Sequence, residues 1–221
     1  MSCKCTIVTA AVLLMATTAA HAQDAQERAG ELKAWREQCN HPDPDLRLAY
    51  LEAALETNDA SIERICVRLA LQSDNADIRN LGLRAAIAQR DQIFFEVSIP
   101  PQLQAEYDRA VDDRDRLKEM SGWYIVQDYN TIQSGLVFDI KNSSINSSQS
   151  DWLPLGGRSR SDDRYRGKAS IVGDTITWQG NAYLARDWTC TLYVRLNNAA
   201  ALEGTFQCRD LWPYPVSASL L

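Results

Sequence analysis

The apolar positions between Asp43 and Arg90 recur at helical spacing. In DPDLRLAYLEAALETN from Asp43, DASIERICVRLALQSD from Asp59 and NADIRNLGLRAAIAQR from Asn75, they fall in shared columns at a period of 16. The columns are Leu46/Ile62/Ile78, Leu51/Val67/Leu83, Ala54/Ala70/Ala86 and Leu55/Leu71/Ile87. Offsets of 0, 5, 8 and 9 from Leu46 lie on one stripe of a 3.6-residue helix. Asp43, Asp59 and Asn75 stand where an N-cap side chain accepts from the free amides of the first turn, and Pro44 takes the first helical position, where its missing N–H costs nothing. One amphipathic helix cannot bury its stripe alone, so the pattern predicts an antiparallel stack of helices of about twelve residues each. Trp35 and Cys39 fall in register with Leu51 and Leu55, which predicts a degenerate capping helix just before the array.

After Arg90 the pattern changes. IFFEVSIPP ends in Pro100-Pro101, which stops a helix, and Gln102 to Glu119 reads as one polar helix with Leu103, Tyr107, Ala110, Val111 and Leu117 on its buried side. From Trp123 the period becomes two. Thr191 to Leu196 alternates strictly, and Leu202 to Cys208 alternates again after the loop at Asn198-Ala199. Folding this stretch about Ala199 sets Leu196 opposite Leu202, Val194 opposite Gly204, Leu192 opposite Phe206 and Cys190 opposite Cys208. Gly173-Asp174 in ASIVGDTITW supplies a two-residue hairpin turn. Further strands near Trp123–Asp128, Leu136–Lys141 and Tyr183–Ala185 bring the number to about seven, the pattern of an antiparallel sandwich or small barrel. NSSINSSQS, Asn142 to Ser150, reads as a polar loop.

The expectation is a two-domain α+β chain: a signal segment over 1–22, an antiparallel helical-repeat stack over 23–120, and a disulfide-tied antiparallel β-sandwich or barrel over 121–221. The frame D-x-x-L-R-x-x-x-L-x-x-A-L at Asp43–Leu55 resembles short HEAT-like or armadillo-like helical repeats, over residues 25–90. That resemblance implies a protein-binding scaffold. Each unit here is one helix rather than the usual pair.

The first residues, MSCKCTIVTAAVLLMATTAAHA, carry a basic start at Lys4, an uncharged apolar middle, and small residues at Ala20 and Ala22. This is the plan of a cleaved secretory signal, with the mature chain starting near Gln23 in the periplasm or outside the cell. The apolar run is too short to predict a membrane span. Export leaves Cys39, Cys66, Cys190 and Cys208, an even set bound for an oxidising compartment, so disulfides are expected. Cys190–Cys208 follows from the hairpin register. Cys39–Cys66 requires the degenerate first helix to bring Cys39 back beside the array.

Charge and aromatic content support the division. Residues 23–121 hold 13 basic against 20 acidic side chains, whereas 122–221 hold 9 of each, and 13 of the 18 aromatic residues lie after 121. The net charge of −6 with no basic face argues against a nucleic-acid partner.

Candidate chemistry is sparse. His41, the one histidine after the signal, lies in the turn NHPDP without a companion ligand. Asp112-Asp113, Asp162-Asp163 and Asp187 are the carboxylates that a hydrolase would need to face one another across a cleft. No metal or cofactor motif is present, so none is expected. The unusual local feature is GGRSRSDDRYRGK, Gly156 to Lys168. Its Arg158, Arg160, Arg164 and Arg166 could grip anions such as lipid headgroups, acidic glycans or an acidic protein face, or could balance the acidic helical half. Trp123 and Trp178 read as core, while Trp152 and Trp212 sit in proline-bounded stretches where burial is less assured. The reading is a non-catalytic binding or scaffold protein whose partner is a protein or an envelope glycan, with contacts at Trp152, Arg158, Arg160, Arg164 and Arg166. Alternatives are a cell-envelope hydrolase with an unrecognised carboxylate site and a β-barrel enzyme inhibitor.

Overall fold

The computed structural model describes residues 9–110, 113–119, 123–155 and 163–221. The chain divides into two compact units, Met1–Cys66 and Val67–Leu221. The division falls inside one helix.

The first unit contains α1 (Thr9–Cys39), α2 (Pro44–Glu56) and the start of α3 (Ala60–Leu71). The caps read from the sequence form. Asp43 Oδ1 accepts from Asp45 N at 2.9 Å, and Asp59 Oδ1 accepts from Ser61 N at 2.9 Å. Both place a carboxylate at the positive end of a helix. Both carboxylate oxygens of Asp59 also accept from Arg28 Nη2 at 2.7 Å, and this guanidinium, with the capped amides, holds the carboxyl below the usual range. Cys39 at the end of α1 bonds Cys66, with Cα atoms 5.3 Å apart.

The second unit is a closed barrel with helices at its ends. Its strands are β1 (Gln92–Val97), β2 (Leu136–Lys141), β3 (Gln149–Pro154), β4 (Gly167–Val172), β5 (Thr175–Tyr183), β6 (Asp187–Leu196), β7 (Ala201–Cys208) and β8 (Tyr214–Ser219). Each pairs antiparallel with the next, and β1 closes on β8 through Glu96↔Ser217 and Val97↔Val216. The hairpin register is the one read from alternation, with Cys190↔Cys208, Leu192↔Phe206 and Val194↔Gly204, and the disulfide forms. Gly173 at φ +61° makes the β4–β5 turn.

Eight strands enclose a space just wide enough for side chains. Here aromatic rings fill it. Phe138 lies 5.0 Å from Trp178, 5.5 Å from Trp152 and 6.0 Å from Phe95, centroid to centroid, with Phe206 at 6.4 Å. Helix α4 (Ala76–Ala88) and the residue pair following it close one end: Arg79 Nη2 donates to Leu196 O at the end of β6, and Arg90 Nη2 donates to Leu220 O past the end of β8. The chain from β1 to β2 carries α5 (Pro101–Ala110), α6 (Arg114–Glu119) and α7 (Trp123–Ile132). Helix α7 covers the opposite end, where Tyr214 donates to Ile125 O at 3.2 Å and Tyr129 stacks on the Tyr214 ring.

This architecture corrects the expected fold class. The helical half is not a stack of like repeats followed by a separate β half. Helix α4 buries Ile78, Leu81, Leu83 and Ala85 to Ile87 in the barrel unit, whereas Leu46, in the same column as Ile78, is 43% exposed. Shared columns therefore reflect amphipathicity, which any buried helix face requires, and not a common stacking partner. IFFEV, not assigned to any element from the sequence, lies in β1, the strand that closes the barrel. Trp123–Asp128, read as a strand, belongs to α7, because its buried residues Ile125, Val126, Asp128 and Ile132 follow helical spacing. Gln102–Glu119 is two helices rather than one, with Leu103 and Glu106 buried on the first.

Candidate functional site

The register of β4, β5 and β6 arranges outward-facing side chains in cross-strand rows. Ser170, Thr177 and Tyr193 form one row, and Lys168, Gln179 and Thr191 form the next. Asn181 and Thr189 begin a third. Alternation turns these residues out because the residues between them, Ala169, Trp178 and Leu192, point into the barrel and are buried. An open groove of about 690 Å³ lies over these rows, with Arg164 and Arg166 at its β4 end and Tyr193, 52% exposed, at its β6 corner.

The β4 end is held by a short 3-10 turn, Asp163–Tyr165. Tyr165 is buried and its hydroxyl donates to Asp187 at the start of β6, a contact that raises the phenol above its ordinary range. Arg164 donates to the same hydroxyl at 2.6 Å. Arg166 pairs with Asp163 at 3.2 Å and Asp139 at 3.5 Å, and Lys168 pairs with Asp151 at 2.5 Å. The ammonium of Lys168, with the Asn142 amide, holds the Asp151 carboxyl below its ordinary range. The positive charge of this rim is thus largely answered by carboxylates already on the barrel wall.

Of the expected contact residues, Arg164 and Arg166 line the groove, and Arg158 and Arg160 lie outside the described residues. Trp152 is corrected: it is fully buried in β3, with its indole N–H donating to Ser150 Oγ at 2.7 Å, and it cannot touch a partner. Its neighbour Pro154 marks a strand end and not a loop, and QSDWLP alternates once Ser150 is counted as inward-facing. Trp212 is half-buried just before β8. His41 accepts from Asp43 N at 3.1 Å, a turn contact. Among the candidate carboxylates, Asp113 caps α6, Asp163 and Asp187 serve the groove end, and Asp112 and Asp162 lie outside the described residues.

Among the described residues the most deeply buried carboxylate is one not singled out in the sequence. Asp128 on α7 is wholly buried, and its Oδ1 accepts from Ala185 N at 3.0 Å. Desolvation raises its carboxyl above the ordinary range, against the pull of the Ala185 amide, Trp188 and Arg186. Trp188 Nε1 is near but not placed for a regular hydrogen bond, so it and Asp128 Oδ2 are both buried without a partner. Asp128 lines neither the groove above nor a second concavity of about 430 Å³ beside Phe94 and Ser219. No sequence signal pointed to it, because its environment is made by a loop 57 residues away.

Among the described residues no helix is long and apolar enough to cross a membrane, and no group of His, Cys, Asp or Glu is arranged to hold a metal ion. The chain matches no known family model, no curated protein and no solved structure.

Proposed function

We propose that this is an exported periplasmic protein that binds another envelope macromolecule without transforming it, and that it does so on the outer face of β4, β5 and β6. The carrying observation is where space exists. The barrel interior is filled by Phe95, Phe138, Trp152, Trp178 and Phe206, and α4 and α7 cover its ends, whereas the groove over Gln179 is open to solvent. Recognition surfaces on rigid strands hold their geometry better than loops do. Two disulfides fit an oxidising compartment.

The test is site-specific photo-cross-linking in isolated cell envelopes. A cross-linker at Gln179 should give defined adducts, and one at Phe94, equally outward-facing but on β1, should not. The blocking variant Gln179→Arg should also lose retention on envelopes. Equal retention of that variant and the parent would place binding elsewhere.

A further inference from the structure

We infer that the groove takes an uncharged glycan strand, held by hydrogen bonds and by stacking on Tyr193; this rests on the proposal that the groove is the binding surface. Three observations carry it.

The first is the chemistry of the floor. Thr177, Gln179 and Thr191 are exposed, with Gln179 opposite Thr191 and Thr177 opposite Tyr193, and among the described residues their side chains make no hydrogen bond. Asn181 accepts from Thr189 Oγ1 at 3.1 Å and so keeps its amide N–H groups for a ligand. Hydroxyls and primary amides each donate and accept, which suits a ligand whose groups do both at every position. Neighbouring strands lie about 4.8 Å apart, so the rows offer such groups over about 10 Å on three successive strands.

The second is the aromatic corner. Tyr193 is held in β6 opposite Thr177 and is 52% exposed. An outward aromatic face beside polar side chains suits the mixed polar and apolar surface of a sugar ring.

The third is the state of the charges. Arg166 is engaged by Asp139 and Asp163, and Lys168 by Asp151, so an anionic ligand would have to displace carboxylates that the barrel already supplies. A protein partner is less well served, because stable protein interfaces centre on a desolvated apolar anchor cluster and this floor offers one aromatic ring.

Titration of the full-length disulfide-bonded protein with four probes decides the matter: chitohexaose and cellohexaose as uncharged glycans, polygalacturonate as an acidic glycan, and polyglutamate as an acidic polypeptide. At least one uncharged hexasaccharide should bind, with affinity changed less than about twofold between low and high salt, since no ion pairs form. Tyr193→Ala and Gln179→Ala should each weaken it more than about fivefold. Phe94→Ala, on β1 outside the groove, should leave it within about twofold. Both Tyr193 and Gln179 face solvent, and unchanged far-ultraviolet dichroism separates lost binding from lost folding. Salt-sensitive binding of polygalacturonate or polyglutamate that needs Lys168 would overturn the uncharged-glycan inference and keep the groove as the site. Absence of binding to both uncharged glycans, or binding indifferent to Tyr193→Ala and Gln179→Ala, also overturns it. If envelope cross-links from Gln179 are absent as well, the groove reading fails with it.

Discussion

Trp178 Nε1 donates to the main-chain oxygen of Trp152 across 3.1 Å, joining β5 to β3 over the intervening β4 inside the barrel. The crossing needs room at Gly167, which pairs with Trp152 and where a Cβ would lie 2.6 Å from Trp178 Nε1 and 2.2 Å from Gln179 O. Gly167→Ala should therefore destabilise the fold by about 3 kcal/mol or more, because one of the close atoms is backbone and cannot rotate away. Trp178→Phe should cost roughly 2–4 kcal/mol through the lost bond and the space left. Urea denaturation followed by tryptophan fluorescence measures both, and parent-like stability in Gly167→Ala would contradict the packing described.

Cys190 and Cys208 close a loop of sequence separation 18, and Cys39 and Cys66 one of 27. In the chain-entropy view each is worth about 3 kcal/mol. Paired Cys→Ala replacement at either site should lower the unfolding midpoint. Peptide mapping without reductant should recover the two linked pairs and no free thiol among these four cysteines.

Asp128 should impose a pH dependence opposite to that of the other perturbed carboxylates. Its folded pKa is raised, so below the unfolded value near 3.9 it is neutral in both states and costs nothing extra. As pH rises from there through the folded pKa, the unfolded chain releases the proton first and stability is lost. Asp59 and Asp151, held low by Arg28 and Lys168, act in the other direction and lose their contribution as pH falls. The informative quantity is thus the difference between Asp128→Asn and the parent, which should grow in favour of the variant as pH is raised from about 4. A difference that stays flat from acid to neutral pH would show that Asp128 is not buried as described.

Asn75 caps α4 with Oδ1 accepting from Asp77 N at 3.0 Å and Ile78 N at 3.1 Å. Asn75→Ala should cost about 1 kcal/mol, and Asn75→Asp should be neutral or better because a negative charge suits that helix end. Asp59→Ala should cost more than Asn75→Ala, since it also removes the two hydrogen bonds from Arg28 Nη2. Thermal denaturation of the three variants gives the order.

Arg166, at the groove rim, is held in ion pairs with Asp139 and Asp163. Its Ala variant leaves Asp139, whose side chain is 18% exposed, with Lys141 at 3.4 Å as its remaining ion partner among the described residues. It should therefore lower the melting temperature, whereas Lys168→Ala, on a side chain 73% exposed, should barely move it. Equal melting temperatures would mean that the rim arginine is free to serve a ligand.

The amino-acid sequence by itself determined what depends on near neighbours. Alternation from Cys190 to Cys208 set a register and with it a disulfide, Gly173-Asp174 set a turn, and Asp43, Asp59 and Asn75 set helix starts, because each rests on periodicity or on bonds spanning a few residues. The tertiary structure alone decided what depends on closure. Whether QIFFEV pairs is settled by partners at Leu136–Asp139 and Val216–Ser217, far along the chain, and nothing local distinguishes it from a buried turn of helix. Trp152 looks like a loop aromatic until Ile140 and Gly167 lie on either side of it. The groove follows the same rule: Thr177, Gln179 and Thr191 are ordinary polar strand residues in sequence, and only pairing of β5 with β6 brings them onto one face lining the groove.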